Sequence, residues 1–203
     1  VVKIKKGGYI LAALFLVACE NPTAINGKNF HAAIASHLEH TGELCLPYMA
    51  FPVEVSSRPS RSQHDLLQNM SALETVGLVR SATVAVAVDA VSGLPVQHRR
   101  YTLSETAQPF LQEKNAQQVL CWGHKKLNAI ERWTANAEDH APWESQPPSA
   151  SVGYTYTVDN MAPWAEDIDM RRAFPFIKQT LINQDRVQTI RLQRTDTAWV
   201  VKN

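Results

Sequence analysis

Histidines, carboxylates and thiols are the residues in this chain with the most chemical reach, and their spacing is informative. His31, His37 and His40 fall within one short stretch, and His37 and His40 are three apart. Such a pair shares a helix face and can take two positions of a metal ion, but no third ligand is spaced to complete the set. A solvated or core-edge role is expected for them. Glu138 and Asp139 are adjacent acids in a polar, proline-rich stretch. They lack the apolar surroundings that turn a carboxyl group into a general acid. Glu166, Asp167 and Asp169 are grouped without the central glycine and terminal glutamate of a twelve-residue calcium loop. The chain has no Gly-x-Ser-x-Gly, no His-Glu-x-x-His, no glycine-rich phosphate loop and no Cys-x-x-Cys. The expectation is a protein with no catalytic residues, no metal and no cofactor.

The N-terminal stretch carries a different chemistry. Lys3, Lys5 and Lys6 precede an unbroken apolar run from Tyr9 to Ala18, which ends at Cys19. A basic head, a short apolar run and small residues at its end read as a secretory signal. The run is about half of what a helix needs to cross a bilayer. Leu16-Val17-Ala18-Cys19 resembles the lipobox of bacterial lipoprotein precursors. The resemblance implies cleavage before Cys19, a thioether-linked diacylglycerol on its sulfur and an amide-linked acyl chain such as palmitate. Two or more acyl chains make a stable anchor. Glu20 stands where an aspartate resembles the inner-membrane retention signal of enterobacterial lipoproteins, so the expected address is the outer membrane, facing the periplasm.

Two consequences follow from that resemblance. Removing residues 1–18 of the 203 takes away three lysines and no acid, so the formal charge moves from +1 to −2. A slightly acidic mature chain offers no electrostatic case for nucleic acid. With Cys19 acylated in an oxidising compartment, Cys45 and Cys121 are left to pair with each other. Their disulfide would close a loop of about 75 residues, worth roughly 4 kcal/mol in the chain-entropy model. It would also deny Cys45 the free thiol that a nucleophile needs.

The remaining chain divides by periodicity. Residues 19–28 read as a short polar tether. Asn29 to His40 reads as an amphipathic helix with Asn29 as cap and Gly42 as stop. Pro47 and Pro52 break an apolar extended segment, with a short edge strand expected at Val53–Val55. Ser60 or Ser62 caps a second helix reaching about Val76, ahead of Gly77. Strands are expected from Thr83 to Asp89 and from Val96 to Leu103, then a helix from about Ser104 to Lys114. Lys125 to Trp133 alternates as a strand, with Leu127, Ala129, Glu131 and Trp133 on one face. Ser151 to Asp159 is the cleanest strand of all. A helix broken at Pro175 and a terminal hairpin, Val187 to Arg194 with Ala198 to Lys202, complete the chain.

Within this frame, Leu73-Glu-Thr-Val-Gly-Leu-Val-Arg80 and Arg100-Tyr-Thr-Leu-Ser-Glu-Thr-Ala107 resemble the third helix, wing and following helix of winged-helix domains. The resemblance spans roughly residues 62–113. It departs from the DNA-binding pattern at the recognition helix, where Gln63 to Thr75 holds no lysine or arginine. Arg99 and Arg100 on the hairpin are expected as a solvated face. The expected architecture is α+β: a winged-helix-like half over residues 29–116, then a β-rich half over 117–203 with one or two helices.

Without catalytic chemistry, binding is the expected activity. The first expectation is a non-catalytic envelope lipoprotein that binds another envelope protein or serves a membrane-associated assembly. Its contacts would be Tyr48, Phe51, Trp143 and Trp164, aromatic residues in turn and loop settings. The alternative is a periplasmic lipoprotein for a small apolar ligand or glycan, held in a cleft between the halves by Trp122, Trp133, Tyr154 and Tyr156.

Overall fold

The computed structural model describes residues 21–56, 60–88, 93, 95–136 and 147–202. The leader, Cys19, the acids Glu138 and Asp139, and Trp143 lie outside the described residues. The first helix, α1 (Gly27–Thr41), starts earlier than its periodicity suggests because Asn26, not Asn29, is the cap. The Asn26 side chain accepts the Asn29 backbone N–H at 2.8 Å. Residues 21–28, expected as part of a short polar tether, are folded back onto the domain. The Asn29 side-chain amide donates to the Asn21 and Ala24 carbonyls, and the Trp199 indole N–H donates to the Thr23 carbonyl at 3.1 Å.

Strand β1 (Glu43–Cys45) follows α1 directly, and a strap leads to β2 (Val53–Ser56). Helix α2 (Arg61–Thr75) has Ser60 as its cap, with a reciprocal bond from the Ser60 backbone N–H to Gln63. Gly77 ends it at φ +76°, a backbone region that only glycine enters freely. Strands β3 (Val79–Val88) and β4 (Pro95–Leu103) form the expected hairpin, longer than read because β3 begins at Val79.

The helix expected over residues 104–114 is not there. A 3₁₀ turn (Glu105–Phe110) gives way to β5 (Leu111–Lys114), which pairs with the start of β6 (Gln117–Asn136). Pro109 interrupts helical hydrogen bonding, and Asn115 and Ala116 both take positive φ in a tight hairpin turn. Beyond β6 come β7 (Ser149–Asp159), a 3₁₀ turn (Pro163–Glu166), α3 (Ile168–Ala173), α4 (Pro175–Asn183), β8 (Gln188–Arg194) and β9 (Trp199–Val201). The break at Pro175 and the terminal hairpin fall where the sequence places them.

The protein is α+β, with two antiparallel sheets. One has three strands in the order β2-β4-β3; the other curls in the order β1-β6-β7-β8-β9, with β5 also paired to β6. Two bulges in β6, between Leu127 and Ala129 and between Ile130 and Arg132, reset its alternation. As a result Leu127 and Ile130 both pack inward, and Trp133 meets Phe30 edge-on at 5.9 Å. The simple face expected from Leu127 to Trp133 is therefore broken.

Two cores hold these sheets. Phe30, Ile34 and Leu38 on α1 press on Val152, Tyr154, Tyr156, Leu192 and Trp199. The other core joins α2 and the three-stranded sheet to the start of β6 and to α3 and α4, through residues such as Met70, Leu73, Tyr101, Trp122, Met170 and Ile177. Helix α1 and strand β1 belong with the later sheet, and one core spans both sides of residue 116.

Candidate functional site

Cys45 and Cys121 are bonded to each other across facing positions of β1 and β6. Glu43 lies close enough for its carboxylate and the two sulfurs to fall within 4.8 Å, but sulfurs in a disulfide offer no thiolate to a metal. Among the described residues no other trio of His, Cys, Asp or Glu is so grouped. His40 turns back to the Ser36 carbonyl at 2.7 Å, consistent with a histidine at a helix surface.

The disulfide and the Leu46 N–H bond to the Leu120 carbonyl, 2.7 Å, fix where the strap after β1 leaves the sheet. Between β1 and β2 the strap forms neither helix nor strand, and it bends at Phe51 and Pro52, whose peptide bond is cis. Met49 and Phe51 pack on the larger core, while Tyr48 stands out with 49% of its surface exposed. Between the strap and the β5–β6 hairpin lies a groove of about 260 Å³. Tyr48 and Phe51 form one side of it, and Leu103, Leu111 and Val119 the other. No charged side chain lines it.

Trp164 does not join this surface. The Ala162 N–H bonds the Trp122 carbonyl at 2.8 Å, which lays the following 3₁₀ turn against β6 and points the indole inward. It is buried, edge-on to Phe110 at 5.9 Å, and belongs to the core. The aromatic cleft expected between the halves is likewise not formed. Trp122 is buried in one core, Tyr154 and Tyr156 in the other, and only Trp133 is substantially exposed, at 45%.

The two hairpin arginines are engaged in ion pairs. Arg100 contacts Glu54 on β2 at 2.6 Å, and Arg99 reaches Glu74 on α2 at 3.8 Å. These exposed pairs add little stability, one tying Arg100 to the adjacent strand and the other tying Arg99 to α2.

A hollow that the sequence reading missed lies between α1 and β6, about 340 Å³ in volume. His31, Leu38 and Glu39 come from the helix, and His124, Lys125 and Leu127 from the strand. The α1–β6 junction is made by Gly42, whose carbonyl accepts the Lys125 N–H at 2.7 Å. The available signal was Lys125 two residues from the inward Leu127; a lysine in an alternating strand otherwise reads as solvent-facing.

No protein-family model matches the chain, and neither the curated proteins nor the solved structures compared with it contain a match.

Proposed function

We propose that this chain is a non-catalytic, lipid-anchored envelope protein that binds an apolar, uncharged segment of another envelope protein at the Tyr48 groove. The observation that carries the reading is Tyr48 itself, a large aromatic half exposed at the rim of a charge-free groove. Aromatic anchors of this kind dominate protein interfaces, and a lining without charge disfavours charged partner segments. The lipobox-like Leu16–Cys19 supports the anchor, and the disulfide is consistent with an oxidising compartment. The winged-helix resemblance of residues 62–113 is read as one of shape, used for contact with protein and not DNA. Support comes from α2 preceding the β3–β4 hairpin and from β2 adding to β4.

A photo-crosslinking residue placed at Tyr48, compared with one at the exposed Gln179, tests this in the intact envelope. The expected adduct forms only at position 48, maps to an uncharged apolar segment and disappears when Val119→Glu is added. Equal labelling from position 179, or an adduct on a charged segment, would refute the groove. Tyr48→Ala should weaken the isolated complex by about 2 kcal/mol or more, read as the change in Kd.

A further inference from the structure

Lys125 and Lys126 both line the α1–β6 hollow, and among the described residues Lys125 has no carboxylate partner. Its ammonium rests 4.7 Å above the Tyr156 ring. The neighbouring lysine, Lys126, differs: it is bound to Asp159 at 3.2 Å. Behind Lys125 the hollow is closed by the buried Leu38 and Leu127. Burial lowers the Lys125 pKa from the ordinary lysine range, so its charge sits in surroundings that solvate it poorly. A partly desolvated cation without a counter-ion gains more from an arriving anion than a cation in open water does.

We propose that this hollow binds an anionic amphiphile, with a carboxylate or phosphate headgroup on Lys125 and a short aliphatic chain along Leu38 and Leu127. Its volume lies in the range of small-ligand pockets and exceeds what a lone inorganic anion needs. The apolar wall beside the cation gives the chain its place. His31 and His124 also line it, with His124 Nε2 against the Glu39 backbone carbonyl at 3.3 Å, and the carboxylates that oppose an anion are Glu39 and Asp159, the latter paired with Lys126. The site is separate from the Tyr48 groove and shares no lining residue with it.

The full chain, reconstituted in phosphatidylcholine nanodiscs, is titrated calorimetrically with octanoate, octyl phosphate and octanol. Both anions should bind roughly tenfold or more tightly than octanol, the gain expected of one charge-assisted contact. Lys125→Gln should bring them down to the level of octanol, and Glu39→Gln should tighten both severalfold. No measurable binding of octanoate, equal binding of octanoate and octanol, or full binding by a Lys125→Gln variant whose unfolding midpoint is unchanged would overturn the proposal. Replacing part of the phosphatidylcholine with phosphatidylglycerol separates the two sources of the headgroup. Competition with octanoate identifies a membrane phosphate, and unchanged octanoate binding identifies a soluble ligand.

Discussion

Individual side chains set the chemistry available to this protein. Cys45 and Cys121 close a covalent loop at a sequence separation of 76. The double substitution Cys45→Ala, Cys121→Ala should lower stability by about 2–4 kcal/mol, measured as a shift in the denaturant midpoint. Reductant should reproduce much of that loss in the parent chain and none in the variant. Tyr154 and Tyr156 supply a pH dependence. Burial raises both phenol pKa values, and for Tyr156 the neighbouring Tyr154 adds to it. The folded state therefore holds these protons more tightly than the unfolded state. Their contribution is complete below the ordinary tyrosine value of about 10 and is lost as pH rises through the raised folded values. Unfolding midpoints followed into that alkaline range should fall, and the fall should be shallower in Tyr156→Phe. The variant also loses the bond from the Tyr156 hydroxyl to the Thr180 carbonyl, 2.8 Å, so the slope with pH is the diagnostic and not the absolute midpoint.

Elements were legible where local pattern and final environment agree. Helices α1 and α2, strand β7 and the break before α4 all follow from apolar spacing, caps and proline. Residues 104–114 misled because Ser104 and Glu105 look like a helix start, whereas the outcome is decided by pairing with β6, a contact local periodicity does not encode. The long β6 was readable as a strand, but its two bulges were not, and they decide which side chains face inward. Of the candidate site, the irregular setting of Tyr48 and Phe51 was legible because Pro47 and Pro52 keep that stretch out of a helix or central strand. Trp164 was not, since nothing in a four-residue turn says which way its indole points. Gly42 shows how an element joint is tested. A Cβ there would stand 2.6 Å from the Lys125 carbonyl oxygen and closer still to that of Leu38, both backbone atoms that cannot swing aside. Gly42→Ala should cost about 1–3 kcal/mol, read by chemical denaturation, and should disturb the α1–β6 hollow while leaving the Tyr48 groove intact.

At the scale of the molecule, the chain returns on itself. Helix α1 near the start packs on the last strand, and Thr23 is tied to Trp199. The described fold begins at Asn21, within a few residues of Cys19, so an acyl anchor at that cysteine, as proposed, would have little slack. Under the proposed lipidation, a domain this close to a membrane surface would suit partners at that surface, and both proposed sites would take apolar material that an envelope supplies. The whole account depends on export and lipidation at Cys19. Intact-mass and N-terminal peptide spectrometry of the protein isolated from its own envelope test that dependence most directly. The account predicts a chain beginning at Cys19 that carries a diacylglyceryl group and an amide-linked acyl chain. An unmodified Cys19, or a chain that retains residues 1–18, would contradict it.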